Sequence, residues 1–119
     1  EVSFRQHTLG CFILFAKRNI EKFSELQSEE LEELTKVMNE IETTLLQNPV
    51  FAPDRFNYLQ LGNTLQHLHI HGIPRYASPR EFDGQEWIDE TWGMPPMWSK
   101  KDVSPELVLR IKKEMFGFL

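Results

Sequence analysis

The sequence predicts an α+β domain, an antiparallel sheet with one long helix packed on it and a second helix near the C-terminus. Three observations carry this prediction. Cys11 to Ala16 is a continuous apolar run of strand length, rich in aromatic and branched residues, as in a strand covered on both faces. Two strand-like segments, Phe56 to Leu61 and Leu65 to Pro74, flank the turn signal Gly62-Asn63 and should pair antiparallel. Between the first run and these segments, apolar residues recur at spacings of three and four from Leu31 to Leu45, the signature of an amphipathic helix. A chain of 119 residues, 40% hydrophobic, fits a single domain. Residues 1–75 would supply the sheet and long helix, and residues 76–119 an irregular Trp- and Pro-rich tail with the final helix.

Each element has a local reason. Val2 to Gln6 alternates loosely and could add a short edge strand, while Lys17-Arg18-Asn19 closes the apolar run with charge and polarity. Ser28 is a candidate N-cap, and Glu29 and Glu30 follow in the first turn, where the helix dipole favours negative charge. The helix should stop at Asn48-Pro49, and its acidic residues are read as a solvated face. Three tryptophans, Trp87, Trp92 and Trp98, make the tail too aromatic to stay unpacked. Ser104-Pro105-Glu106 then starts a helix with Leu107, Ile111 and Met115 on one stripe.

Composition excludes several classes. A net charge of −5 is the wrong sign for a general nucleic-acid binder, which needs a basic field to displace counterions. One cysteine, Cys11, can form neither an internal disulfide nor a cysteine metal cluster, which suits a reducing cytoplasm. No apolar run approaches the ~20 residues of a membrane span. The expectation is a cytoplasmic protein that engages neither membrane nor nucleic-acid polymer.

The chemistry concentrates in His67-Leu68-His69-Ile70-His71, which holds three of the four histidines. On a strand, alternate residues share a face, so the three imidazoles would line one side while Leu68 and Ile70 point into the core. A purely structural role is disfavoured, because such a face is poorly hydrophobic and charges near neutral pH. A shared metal is disfavoured as well: His67 and His71 would stand ~13 Å apart along a regular strand, beyond the ~2 Å ligand distances of one ion without a strong bend. No metal is therefore expected. The remaining reading uses the imidazoles in sequence along a phosphate chain, one nitrogen as nucleophile toward phosphorus and its neighbours as hydrogen-bond donors.

The stretch Gly62-Asn63-Thr64-Leu65-Gln66-His67-Leu68-His69-Ile70-His71-Gly72-Ile73-Pro74-Arg75 resembles the signature of the histidine triad (HIT) family of nucleotide hydrolases and transferases. Upstream, Gly10 to Phe23 is similar to the family's strand before its long helix, and Trp92-Gly93 is similar to the tail of some bacterial members. The resemblance implies about five antiparallel strands with a long helix, commonly in a homodimer, and hydrolysis of a dinucleoside polyphosphate or nucleoside phosphoramidate without an obligatory cofactor. It implies His69 as the nucleophile at the α-phosphate, His71 as a phosphate contact and His67 in support. Asn63 and Gln60 are candidates for polar contacts to the phosphates, Phe4 and Ile13 for the nucleoside pocket, and Arg75, beside the triad, for phosphate charge. Presence of the third histidine favours the hydrolase branches over the uridylyltransferase branch. The alternative is a nucleotide-binding or regulatory module with little turnover.

Three positions depart from the family pattern. Cys11 stands where a fourth histidine is expected, Ser3 where an Asn or Asp often meets the ribose, and Gly72 where a bulky apolar residue is usual. Cys11 is read as a buried small residue, His7 as incidental, Trp92 as a core or dimer contact, and Arg80, Lys100 and Lys101 as solvated.

Overall fold

The computed structural model describes residues 1–98 and 102–117. Strand β1 spans Phe12–Phe15 and helix α1 Ser28–Leu46; strands β2, Arg55–Leu59, and β3, His69–Arg75, follow. Two short strands, β4 at Arg80–Phe82 and β5 at Gln85–Trp87, precede helix α2, Pro105–Phe116. The fold is α+β with antiparallel strands and two helices, as expected. Among the described residues, five strands divide into a three-stranded sheet of order β1-β3-β2 and a separate β4-β5 hairpin. The N-terminal edge strand is reduced to a bridge between Val2 and Phe12.

Register explains how the sheet separates its two faces. Ile13 pairs with His71 and Phe15 with His69, so these four share one face. Phe12, Leu14, Ile70 and Gly72 point to the other, joined by Tyr58 across from Gly72. There Phe12 packs with Leu45 of α1 and with Val108, Ile111 and Met115 of α2. β1 is therefore covered on one face only: Phe15 is 42% exposed. Gly72 is required by this packing, since a Cβ there would lie 2.2 Å from the Phe12 ring. The aromatic ring fills the volume that a bulky residue at position 72 would occupy.

The helix ends follow local chemistry. Gln27, one residue earlier than expected, caps α1; its backbone N–H donates to the Glu30 carboxylate at 2.8 Å. In α2 the expected cap is present, with the Ser104 hydroxyl accepting from the Leu107 amide at 3.2 Å and Pro105 in the first turn. The irregular tail proves partly regular. Asp83 and Gly84, both with positive φ (57° and 75°), form the turn of the β4-β5 hairpin, the conformation that Asp-Gly favours. Behind β3, Leu14, Leu34, Val37, Leu68 and Ile70 line an apolar cavity of about 150 Å³ between sheet and α1. Among the described residues, no helix is long and apolar enough to cross a membrane.

Candidate active site

The triad is split by the end of a strand. β3 begins at His69, so His67 lies in the preceding loop and the three rings do not form one regular row. His67 instead turns its Nε2 to the Ala16 carbonyl at 2.6 Å, while the His67 carbonyl meets Nδ1 of His69 at 2.7 Å. A carbonyl oxygen only accepts, so Nδ1 of His69 carries the proton and the neutral ring keeps its lone pair on Nε2. His69 is buried, with its ring stacked on Phe15 at 5.8 Å and edge-on to His71 at 5.0 Å.

His69 and His71 open onto a cleft that also takes in Ile13 and Phe15 of β1, Ser3, Phe4 and His7 of the N-terminal segment, and Trp98 of the tail. Phe4 and Ile13, the candidates for a nucleoside pocket, thus stand beside the histidines. His7 is no bystander: its ring stacks on Trp98 at 4.0 Å, and Trp98 lies edge-on to His71 at 4.9 Å. Burial, followed by the proximity of His71 and then Arg5, lowers the pKa of His7 to about 4. Burial, then His69 and Arg5, holds His71 below the ordinary histidine value. Both rings are therefore neutral at pH 7.

Other expected site residues lie elsewhere. The loop 60–68 separates β2 from β3, so the two strands are not joined by a tight turn, and of this loop Leu65, not Gln60 or Asn63, lines the cleft. Gln60 lines a different surface hollow with Lys22, Phe23 and Gln66, and Asn63 is exposed. Arg75 shares the histidine face of β3 but is consumed structurally. Its side chain is 3% exposed and pairs with Asp89, itself 2% exposed, at 2.6 Å, with further bonds to Asn57 and the carbonyls of Thr91 and Met94. Burial alone would raise the Asp89 pKa, but the donors on Arg75 and the Tyr76 amide prevail and hold it below the ordinary carboxylate value.

Arg80 is likewise committed, to the carbonyls of Phe51 and Ala52. Lys100 and Lys101 lie outside the described residues. Cys11 is buried and donates to the Thr8 carbonyl, its pKa raised by burial, so position 11 cannot relay anything to the cleft. Trp92, 39% exposed, does not line the cleft either; among the described residues of the tail, Trp98 and Asp102 reach it. The missed residues Arg5 and His7 had one available signal, the edge pairing expected of Val2 to Gln6 beside β1.

The fold has solved counterparts. A histidine triad protein of Sinorhizobium meliloti 1021 aligns with a TM-score of 0.66 at 21% identity, over 97% of this chain and 78% of that one. A hypothetical histidine triad nucleotide-binding protein of Sulfolobus tokodaii strain 7 gives 0.69 at 20% identity, over 96% and 72%. A Hit-like protein of Bartonella henselae, described as involved in cell-cycle regulation, gives 0.67 at 18% identity, over 98% and 76%. No curated protein is detectably similar to the chain. Residues 7–78 match the HIT domain, and the chain belongs to that family.

Proposed function

We propose that the chain is a nucleotide hydrolase that cleaves at the α-phosphate of a nucleoside phosphate through a covalent nucleotidyl-His69 intermediate. The observation that carries the proposal is the 2.7 Å bond from Nδ1 of His69 to the His67 carbonyl, which leaves the lone pair on Nε2 beside the cleft. Nε2 attacks the α-phosphorus, and the bond to the leaving group breaks with its electron pair on the departing atom. The ring then carries positive charge, which the His67 carbonyl stabilises through Nδ1–H. Water attacks the phosphorus in the second step, the P–N bond breaks and returns its pair to Nε2, and the proton of the water passes to solvent.

Neutral His71, 5.0 Å from His69 between ring centres, suits donation to a phosphoryl oxygen. His67 supports the site through its carbonyl and through its own anchorage on Ala16. Phe4 and Phe15, 47% and 42% exposed at the cleft, offer aromatic faces to a nucleobase. The mechanism calls on no metal, and we expect a cytoplasmic homodimer.

The test is a panel of dinucleoside polyphosphates and nucleoside phosphoramidates, incubated with and without chelator and followed by intact-protein mass spectrometry. Turnover insensitive to chelator, with a one-nucleotidyl adduct that His69→Ala abolishes, is expected. Turnover surviving that substitution sinks the nucleophile assignment, and loss on chelation favours a metal enzyme. Binding without turnover favours the regulatory module.

A further inference from the structure

Arg75, the cation expected to meet phosphate, is engaged elsewhere, locked to Asp89, and Arg80 is bound to backbone carbonyls. Lys17 lines the separate hollow between sheet and α1, and Arg18 pairs with Glu30 of that helix. Among the described residues lining the cleft of His69 and His71, the lysine or arginine is Arg5. Its backbone is fixed: the Arg5 amide donates to the buried Ser3 hydroxyl at 3.0 Å, and the Gln6 side chain donates to the Cys11 carbonyl just before β1. Its side chain is 50% exposed and meets Asp102, 66% exposed, through one Nε contact of 3.3 Å. That is long for a charge-assisted bond and not the two-pronged arrangement a guanidinium can make, so an incoming anion can displace it.

The segment carrying Arg5 runs along the outer edge of β1, while His69 and His71 lie on β3 at the inner edge. Two strand spacings, roughly 10 Å, separate the backbones. An arginine reaching inward across that gap stands apart from the phosphate in contact with His69 and can meet one further along the chain. We infer that Arg5 binds the leaving-group phosphates, and that the substrate class is accordingly nucleotides with an anionic polyphosphate leaving group, ahead of phosphoramidates. The inference rests on the hydrolase reading above. As the bridging P–O bond breaks, its electron pair stays on the leaving oxygen, and the guanidinium neutralises the charge that accumulates along the departing chain. An amine leaving group takes up a proton from solvent as the P–N bond breaks, departs neutral and draws nothing from Arg5. Burial and then the neighbouring histidine lower the pKa of His7 and of His71, and the Arg5 charge adds to both, so it is felt within the cleft.

The experiment compares wild type, Arg5→Gln and Asp102→Asn on a dinucleoside tetraphosphate and on adenosine phosphoramidate. The ratio of kcat/KM, polyphosphate over phosphoramidate, should fall at least about tenfold in Arg5→Gln, the scale of a lost charge-assisted contact. It should rise in Asp102→Asn, where the competing carboxylate is gone. Circular dichroism verifies folding, and Arg5→Lys should restore part of the ratio. An unchanged ratio in Arg5→Gln overturns the inference. If wild type turns over neither substrate, the hydrolase reading fails separately, and the inference is read from binding. Arg5→Gln should then weaken a methylene-bridged tetraphosphate analogue at least about tenfold relative to AMP, and equal weakening, or none, overturns it.

Discussion

Nδ1 of His69 donates to the backbone carbonyl of His67 at 2.7 Å, so the residue two positions earlier fixes the tautomer of the second triad histidine by its main chain. Any phosphorus adduct on His69 should therefore sit on Nε2. Long-range proton–nitrogen NMR of the trapped adduct reads the position directly, and phosphorus on Nδ1 would refute the arrangement.

Arg75→Met should destabilise the protein by about 3–5 kcal/mol, because it strands the Asp89 carboxylate in a buried site. The double variant Arg75→Met/Asp89→Leu should recover a large part of that loss. Urea unfolding measures both, and a loss below about 1 kcal/mol for the single variant contradicts a structural role for the pair.

Gly72→Ala should cost about 2–3 kcal/mol, since the new methyl meets the Phe12 ring. The two positions should be coupled: in a Phe12→Leu background the same change should cost at least about 1 kcal/mol less. Strict additivity in the double-mutant cycle would show that the sheet relaxes some other way.

His7 has its pKa lowered to about 4 in the folded chain, against ~6.5 unfolded. Between those values the unfolded state binds more protons, so this contribution is present above pH ~6.5 and is lost as pH falls towards 4. The ring is half open to solvent, which reduces the nominal linkage of about 3 kcal/mol to roughly 1 kcal/mol. Wild type should lose that much more stability than His7→Gln between pH 7 and pH 4. Parallel losses in urea titrations would exclude His7 as the source.

Elements specified by short-range chemistry are legible in the sequence. Ser104-Pro105 starts α2 where a cap and a first-turn proline demand it, and the period from Leu31 to Leu45 marks α1. The Asp83-Gly84 hairpin was equally available, but the Pro- and Trp-rich surroundings masked a two-residue turn signal. Within the site, His69 and His71 follow from alternation on β3, whereas His67 falls in the loop before it, and Phe4 and Ile13 are pointed to only by the family resemblance. Arg75 is not legible: adjacency to a motif says nothing about which partner a long side chain finds, and Asp89, fourteen residues on, decides it. Gln60 and Asn63 fail for a related reason, since a loop of unknown path cannot be projected from a strand. Arg5 and His7 become visible only when the first residues are laid along the edge of β1.

That edge is held by backbone bonds to Cys11 and Ile13 and clamped further by one side-chain amide. The buried side chain of Gln6 accepts from the Gly10 and Cys11 amides and donates to the Ser3 and Cys11 carbonyls. The side chains of Phe4, Arg5 and His7, on either side of it, take no part in this clamp and line the cleft instead. Such a division of labour makes the cleft wall evolvable: ligand preference can drift at three positions around Gln6 while the sheet, and the histidine that it presents, stay unaltered.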